Sequence, residues 1–315
     1  MGAQLRVYRR RIRSIQSTKK ITRAMELIAA SRIVKAQQRV AASKPYAEEI
    51  TRVLSTLASR SSLDHPLLNE QENVERAAVI VVTSDRGLAG AYNANVLREA
   101  AELIALLKSE GKETVLYAIG RKGVGYYRFR RREVAGDWTG FSEQPRFVNA
   151  REVGNTVIAA FRHGGLDDSA AGAADDRVVA GVQEIHLVYT EFVSALTQKA
   201  VATLIAPLVV EEVAEEEAAE GYLPEYEFEP EPEELLDALL PKYINTRIFA
   251  ALLDSAASES AARRRAMKAA TDNAEDLIKS LTRAANSARQ AEITQEISEI
   301  VGGADALAAT GSDEG

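Results

Sequence analysis

Cysteine is absent from the 315 residues, which excludes disulfides, thiolate nucleophiles and sulfur-based zinc sites. Histidine is almost as scarce. His65, His163 and His186 stand far apart without ligand-like spacing, so no metal centre is expected. No apolar run approaches the ~20 residues needed to cross a bilayer. The opening Met1-Gly2-Ala3-Gln4-Leu5-Arg6 enters an amphipathic pattern directly, with no apolar signal core. A basic, acid-poor start is also a mark of transit peptides, but here the pattern continues unbroken into a helix. The chain reads as cytoplasmic, held at a membrane through partners only.

What is present is unevenly distributed. Hydrophobic residues make up 46% and charged residues 27% of the chain, the balance of a foldable protein and not of a disordered one. The net charge of −7 hides two extremes. Residues 1–44 carry twelve Lys or Arg against one acid, Glu26, whereas residues 211–234 carry twelve Glu and no base. Such asymmetry implies charged partners or internal pairing.

Three segments follow from the periodicity. Over residues 5–60, Ala29, Ile33, Ala36, Val40, Ser43, Ala47, Ile50, Leu54 and Leu57 step by four and three, the spacing of a coiled-coil seam. Upstream, Leu5, Tyr8, Ile12 and Ile15 keep the spacing in a different register, so the seam is expected to shift near Lys19-Lys20. Pro45 is expected to kink or interrupt this helix, and Ser61-Ser62-Leu63-Asp64-His65-Pro66 to end it. Residues 75–210 have another rhythm. Apolar runs at 77–82, 114–119 and 184–190 read as strands, with helices near 95–107 and 150–162 between them. That alternation predicts an open, mainly parallel α/β layer, interrupted by small polar residues at 164–176 and followed by an acidic loop at 211–231. From Pro232 to about residue 305 the chain returns to helix, with Pro241 expected to kink or delay it, and 306–315 reads as a flexible tail. Met267, Ala270, Ala274, Leu277, Leu281, Ala284, Ala288 and Ala291 form a second stripe. Two stripes at opposite ends of one chain pair most simply with each other, antiparallel. The alanine-rich seam then gives a thin rod on the order of 100 Å long. The fold class is therefore α/β plus a long antiparallel coiled coil of the N- and C-terminal helices around a central Rossmann-like open α/β domain, residues 1–62 supplying one coiled-coil helix and 232–305 the other.

Catalytic chemistry is hard to find. Thr83-Ser84-Asp85-Arg86-Gly87-Leu88-Ala89-Gly90 lies at a strand's carboxyl end, where open α/β folds bind ligands. It is neither a dinucleotide fingerprint nor a phosphate loop, and its glycines suit a strand-to-helix turn. Gly120-Arg121-Lys122-Gly123 is a weaker candidate of the same kind. No spacing supports Ser84, Asp85 and His186 as a hydrolytic set, and no carboxylates stand out as an acid/base pair. The basic N-terminal helix raises nucleic-acid binding, but the bases are not interleaved with aromatics and the pI of about 5.3 disfavours it.

The terminal stripes carry longer and more specific strings. Glu259 to Ala274, ESAARRRAMKAATDNA, and Ala288 to Ala304, ARQAEITQEISEIVGGA, resemble the signature of the γ subunit of rotary ATP synthases. So do Lys19 to Arg32, KKITRAMELIAASR, and Ser84 to Gly90, SDRGLAG. The likeness keeps its order over essentially the whole chain. Departures are Ala89 where the family often has Cys, and Ala285-Asn286 where Tyr-Asn is common. The inserts at 164–176 and 211–220 are not general to the family.

This resemblance implies a non-catalytic central stalk. The terminal helices would form a shaft inside an α/β hexamer whose β subunits make ATP, while proton flow through the membrane ring turns it. The implied partners are the α, β and ε subunits and the c-ring, with no nucleic acid and no cofactor, at the cytoplasmic face of the plasma membrane. Carried over residue by residue, Met25 and Arg263 would face the moving lobe of β. Arg289, Gln290, Thr294 and Glu296 would bond to α/β loops, and Ser84, Asp85, Arg86, Gly87 and Gly90 would form a structural motif. Two rival readings remain beside it: a nucleotide-binding enzyme using the 84–90 turn, and a nucleic-acid-binding coiled coil.

Overall fold

The computed structural model describes residues 3–60, 74–164, 181–208 and 232–310. The expected stop at 61–66, the insert beyond Gly164 and the acidic stretch up to residue 231 lie outside them. The chain divides into two compact units, residues 29–263 and the paired ends 1–28 with 264–315.

The larger unit is a three-layer α/β domain. Its strands are β1 (Arg76–Val82), β2 (Glu113–Ile119), β3 (Gly136–Trp138), β4 (Glu184–Phe192) and β5 (Gln198–Ala206). They form one sheet in the order β3-β2-β1-β4-β5. β1 pairs parallel with β2 and β4, β2 parallel with β3, and β5 closes the edge antiparallel to β4. The Ala77–Val82 run is apolar throughout because both faces are covered. Ala78, Ile80 and Val82 enter one core, Ala77, Val79 and Val81 the other.

On one face lie α2 (Tyr92–Ser109) and α3 (Arg121–Phe129), through Val96, Ala100, Ile104 and Tyr127. The other face holds α4 (Phe147–Gly164), the end of α1 (Ala3–Arg60) and the start of α5 (Pro232–Thr310). Ile50, Leu54 and Leu57 of α1 there join Val153, Val157 and Phe161 of α4 and Leu236, Leu240, Ile244 and Ile248 of α5. The expected strands and two expected helices are present. Three elements were not foreseen. α3 contains Gly123 and Gly125, poor helix formers. β3 has three residues, and β5 is alanine-rich. The sheet is mainly parallel, as expected, with β5 as an antiparallel edge.

Both prolines sit inside continuous helix, Pro45 in α1 and Pro241 in α5, so neither interrupts nor delays its element. Along α1 the register shift expected near Lys19-Lys20 does not occur. Leu5, Tyr8, Ile12, Ile15, Lys19, Thr22, Glu26, Ala29, Ile33, Ala36, Val40, Ser43, Ala47, Ile50, Leu54 and Leu57 are all buried or half-buried, in unbroken steps of three and four. Three polar residues occupy the seam where an apolar reading loses it.

In the smaller unit the helices pair antiparallel. Thr22 and Thr271 share a buried hydroxyl hydrogen bond of 2.8 Å, and Lys19 Nζ meets Glu275 Oε2 at 3.0 Å. The α5 stripe is also corrected. Met267, Ala274, Leu281 and Ala288 face the seam as expected, but alternate with Thr271, Ile278, Ala285 and Glu292. The expected Leu277 is 48% exposed. Hydrophobicity selects Leu277 and Ala270, whereas the pairing uses Ile278 and Thr271, one residue on. Followed along both helices, the Thr22–Thr271 register brings Leu5 level with about residue 288 of α5. Beyond Glu292, residues 293–304 are exposed on every side, including Ile293, Ile297, Ile300 and Val301.

Gly154 marks the closest packing of α4 on α5. A Cβ there would lie 1.8 Å from Asn245 Oδ1, a buried oxygen without a hydrogen-bond partner among the described residues. Helix propensity alone favours Gly154→Ala by about 1 kcal/mol, so the sign of the effect separates packing from propensity. Thermal unfolding of Gly154→Ala should show a loss of about 1–3 kcal/mol, partly recovered by adding Asn245→Ala.

Candidate functional site

At the carboxyl ends of the parallel strands β1 turns into α2 through residues 83–91. The order β3-β2-β1-β4-β5 makes the gap between β1 and β4 the point where chain connections diverge, the place where open α/β sheets hold ligands. Here that gap is filled by the chain's own α5. The Ser258 hydroxyl donates to the Thr190 carbonyl at 3.2 Å, and the Thr190 N–H donates to Ser255 Oγ at 3.4 Å. Tyr92 is buried beside them, its phenol pKa pushed up by burial and by the Glu259 charge, against hydrogen bonds to Ser255 and Thr190. A cavity between β4, β5 and α5, lined by Tyr189, Thr203, Arg247 and Asp254, measures about 90 Å³. That is room for about three waters, far short of a nucleotide.

The turn itself is held atom by atom. The Thr83 hydroxyl donates to the Ile119 carbonyl at 2.8 Å and accepts the Gly123 N–H at 2.8 Å. Gly120, at φ 91°, lies so close that a Cβ would stand 2.2 Å from the Thr83 carbonyl oxygen, which only glycine permits. The Ser84 hydroxyl donates to the Arg86 carbonyl at 2.7 Å, and the Ser84 N–H to Asn93 Oδ1 at 2.9 Å. Asp85 accepts backbone N–H bonds from Gly140 (2.8 Å), Ser142 (3.0 Å) and Arg121 (3.1 Å), the last being the first residue of α3. Burial pushes its pKa up, but these bonds outweigh burial and hold the carboxyl below its ordinary value. Leu88 follows at φ 63°, 62% exposed.

Arg263 of α5 closes the turn from behind. Its Nη2 donates to Glu259 Oε1 at 2.6 Å and reaches the carbonyls of Arg86 and Gly87 at 3.2 and 3.3 Å. Its Nη1 stands 3.2 Å from Glu143 Oε1, an ion pair not aligned as a hydrogen bond. Glu143 also pairs with Arg32 of α1 and, at 3.8 Å, with Arg86. Burial pushes the Glu259 pKa up, partly offset by Arg263. One ionic cluster thus joins both long helices, the turn and the segment before α4.

Of the residues singled out in the sequence, Ser84, Asp85, Arg86, Gly87 and Arg263 come together here, with Gly90 in the same turn at φ 56°. Arg263 is 5% exposed, its side chain committed within the chain. Met25 is half-buried beside the α1 seam, and Arg289, Gln290, Thr294 and Glu296 are exposed on α5, all five in the smaller unit. His186 bonds Glu184 at 2.9 Å and pairs in register with Val79, about five strand residues or ~16 Å upstream of Ser84, which dissolves the imagined hydrolytic set. No cluster that could hold a metal ion occurs among the described residues. Sequence reasoning missed Glu143, which no motif contains. Glu259 was quoted only as part of a motif, although its spacing of four residues from Arg263 was a legible pairing signal.

Two outcomes follow for stability. Glu259→Ala leaves Arg263 buried and half-paired, and should cost about 3–5 kcal/mol in denaturant unfolding, whereas replacing both residues with Met should cost clearly less. Asp85 has a lowered folded pKa, so its contribution is present above the unfolded value near 4 and lost as pH falls through the folded value. Asp85→Asn should flatten that acid limb and cost about 2–3 kcal/mol at pH 7, read from denaturation curves across pH.

A family model described as ATP synthase matches residues 4–307. The chain is 62% identical over 308 residues to an ATP synthase gamma chain of Frankia casuarinae, covering 98% of this chain and 99% of that one. It is 63% identical over 313 residues to one of Acidothermus cellulolyticus, covering 99% and 100%. Among solved structures it resembles a chain of the Euglena gracilis mitochondrial ATP synthase OSCP/F1/c-ring assembly at TM-score 0.62 and 16% identity, over 98% of this chain and 96% of the other. It also resembles a chain from the central stalk and c-ring of the Tetrahymena thermophila enzyme at TM-score 0.53 and 21% identity, over 79% and 99%. Those likenesses bear on the fold alone. Matched nearly end to end by the family model and by relatives above 60% identity, the chain belongs to the ATP synthase gamma chains.

Proposed function

We infer that this chain is the central-stalk rotor subunit of a proton-translocating ATP synthase. It couples proton flow through the membrane sector to sequential changes in the catalytic β subunits. The observation that carries the reading is the unaccompanied end of α5. Residues 293–304 have no partner helix among the described residues, yet present Ile293, Ile297, Ile300 and Val301 to solvent, so another protein must receive them. Unequal contacts of one asymmetric element with three equivalent subunits supply the differential free energy a conformational switch requires.

The partners are the α, β and ε subunits and the c-ring. The chain itself carries no reaction, and it works at the cytoplasmic face of the plasma membrane. Residues 1–62 and 232–305 supply the two long helices, and 75–210 the central domain. Met25 meets the moving lobe of β, and Arg289, Gln290, Thr294 and Glu296 meet α/β loops. Arg263 acts at one remove, holding the Arg86 and Gly87 carbonyls so that the turn presents Leu88.

Purification under native conditions should recover the chain with an α/β ATPase head, and recovery without one would overturn the reading. A chain truncated after Ala288 should keep its central domain folded by circular dichroism, assemble, and lower ATP synthesis driven by a proton gradient. Undiminished synthesis would remove the assigned role of the α5 end.

A further inference from the structure

Close-packed interiors leave few voids larger than a water molecule. Where α5 lies over β4 and β5 it contributes only Ala250 and Ala251 opposite the larger side chains of the sheet, and a cavity of about 90 Å³ remains between them.

The polar groups around that cavity do not satisfy one another. Arg247 and Asp254 of α5 both line it, together with Tyr189 of β4 and Thr203 of β5. Residues seven apart share one face of a helix, about two turns or ~10 Å from each other along the axis. Among the described residues neither Arg247 nor Asp254 takes part in an ion pair. Asp254 is half-buried, and its carboxyl pKa is pushed up to about 6, by burial first and then by the charge of Glu191. Lys199 stands opposite Glu191 in the strand register, yet neither Lys199 nor Arg247 offsets the rise at Asp254. A carboxylate and a guanidinium thus border the same space without reaching each other.

We propose that this cavity binds a small zwitterion, an amino acid of the size of glycine or β-alanine, with its ammonium on Asp254 and its carboxylate on Arg247. An ammonium carries three donors, enough for the Asp254 carboxylate and the Thr203 and Tyr189 oxygens. A guanidinium forks onto a carboxylate, and the alanines leave room for the methylene body. The volume corresponds to about three displaced waters, which excludes larger amino acids. A simple cation would leave Arg247 unmet, and a simple anion would meet Asp254 and Glu191. All of these residues lie in the larger unit. The inference does not draw on the rotor reading, so the failure of one leaves the other standing.

The test is equilibrium dialysis of the full chain, alone or in its purified complex, against radiolabelled glycine or β-alanine, with methylammonium and acetate as separate arms. At least one of the two amino acids should bind one-to-one, at least tenfold more tightly than methylammonium or acetate. Asp254→Asn and Arg247→Gln should each weaken that binding at least tenfold, and so should Ala250→Leu, which fills the space. Asp254→Asn removes a half-buried charge and should keep or raise the melting temperature, so its loss of binding is not loss of fold. Affinity in the wild type should fall about tenfold for each pH unit below about 6, as the Asp254 carboxyl takes up its proton. Three results overturn the proposal: no binding of either amino acid at millimolar concentration, equal binding of methylammonium, or binding undiminished in Asp254→Asn.

Discussion

The pairing of Arg263 with Glu143 and Glu259 is the constraint on which the larger unit turns. A guanidinium in the interior is tolerable only if its charge is met, and its partners come from three separate parts of the chain. Glu259 lies one helical turn away, Glu143 in the segment before α4, and the two carbonyls in the turn after β1. Glu143 passes the constraint on to Arg32 of α1. The angle at which α5 crosses the sheet, the conformation of the turn and the seating of α1 are therefore not independent. Displacing any one would leave a buried charge unmet in the others.

Close to that cluster, α5 occupies the place at the carboxyl ends of β1 and β4 where an open α/β sheet would hold a ligand. Ser255 and Ser258 occupy the gap between β1 and β4, and their hydrogen bonds satisfy the backbone of Thr190 that a ligand would otherwise meet. Asp85, set at the head of α3, offers its carboxylate where a phosphate-binding fold would offer bare N–H groups. The motif that looked like a binding loop is tied to α3, to the segment before α4 and to α5 by its own hydrogen bonds.

Much of this was legible in the residues, and the failures have physical causes. The spacing of Ala29 through Leu57 marked the α1 seam correctly, because those positions are apolar or small. Lys19, Thr22 and Glu26 hid its continuation, since they satisfy themselves through ion pairs and hydroxyl bonds that hydrophobicity does not register. On α5 nearly every candidate is alanine or flanked by an apolar neighbour, so the stripe could be read one residue off at Leu277. α3 was invisible because Gly123 lowers helix propensity, yet its Cα sits against the Thr83 side chain, where a Cβ would come within 2.8 Å. Glu143 was beyond reach, since its three arginines lie at positions 32, 86 and 263, brought together only by folding.

The solitary end of α5 has a cost before it has a use. Ile293, Ile297, Ile300 and Val301 project from a helix that nothing else in the described chain covers, so a newly made copy without companions carries a sticky, adhesive segment. Whatever sheathes that segment also removes it from competing self-association and from proteolysis, and mass action then favours the sheathed state. The supply of the chain is in this way tied to the supply of its sheath. A surplus copy is left as an orphan marked for clumping or disposal, and the ratio of the parts is policed by the same few isoleucines.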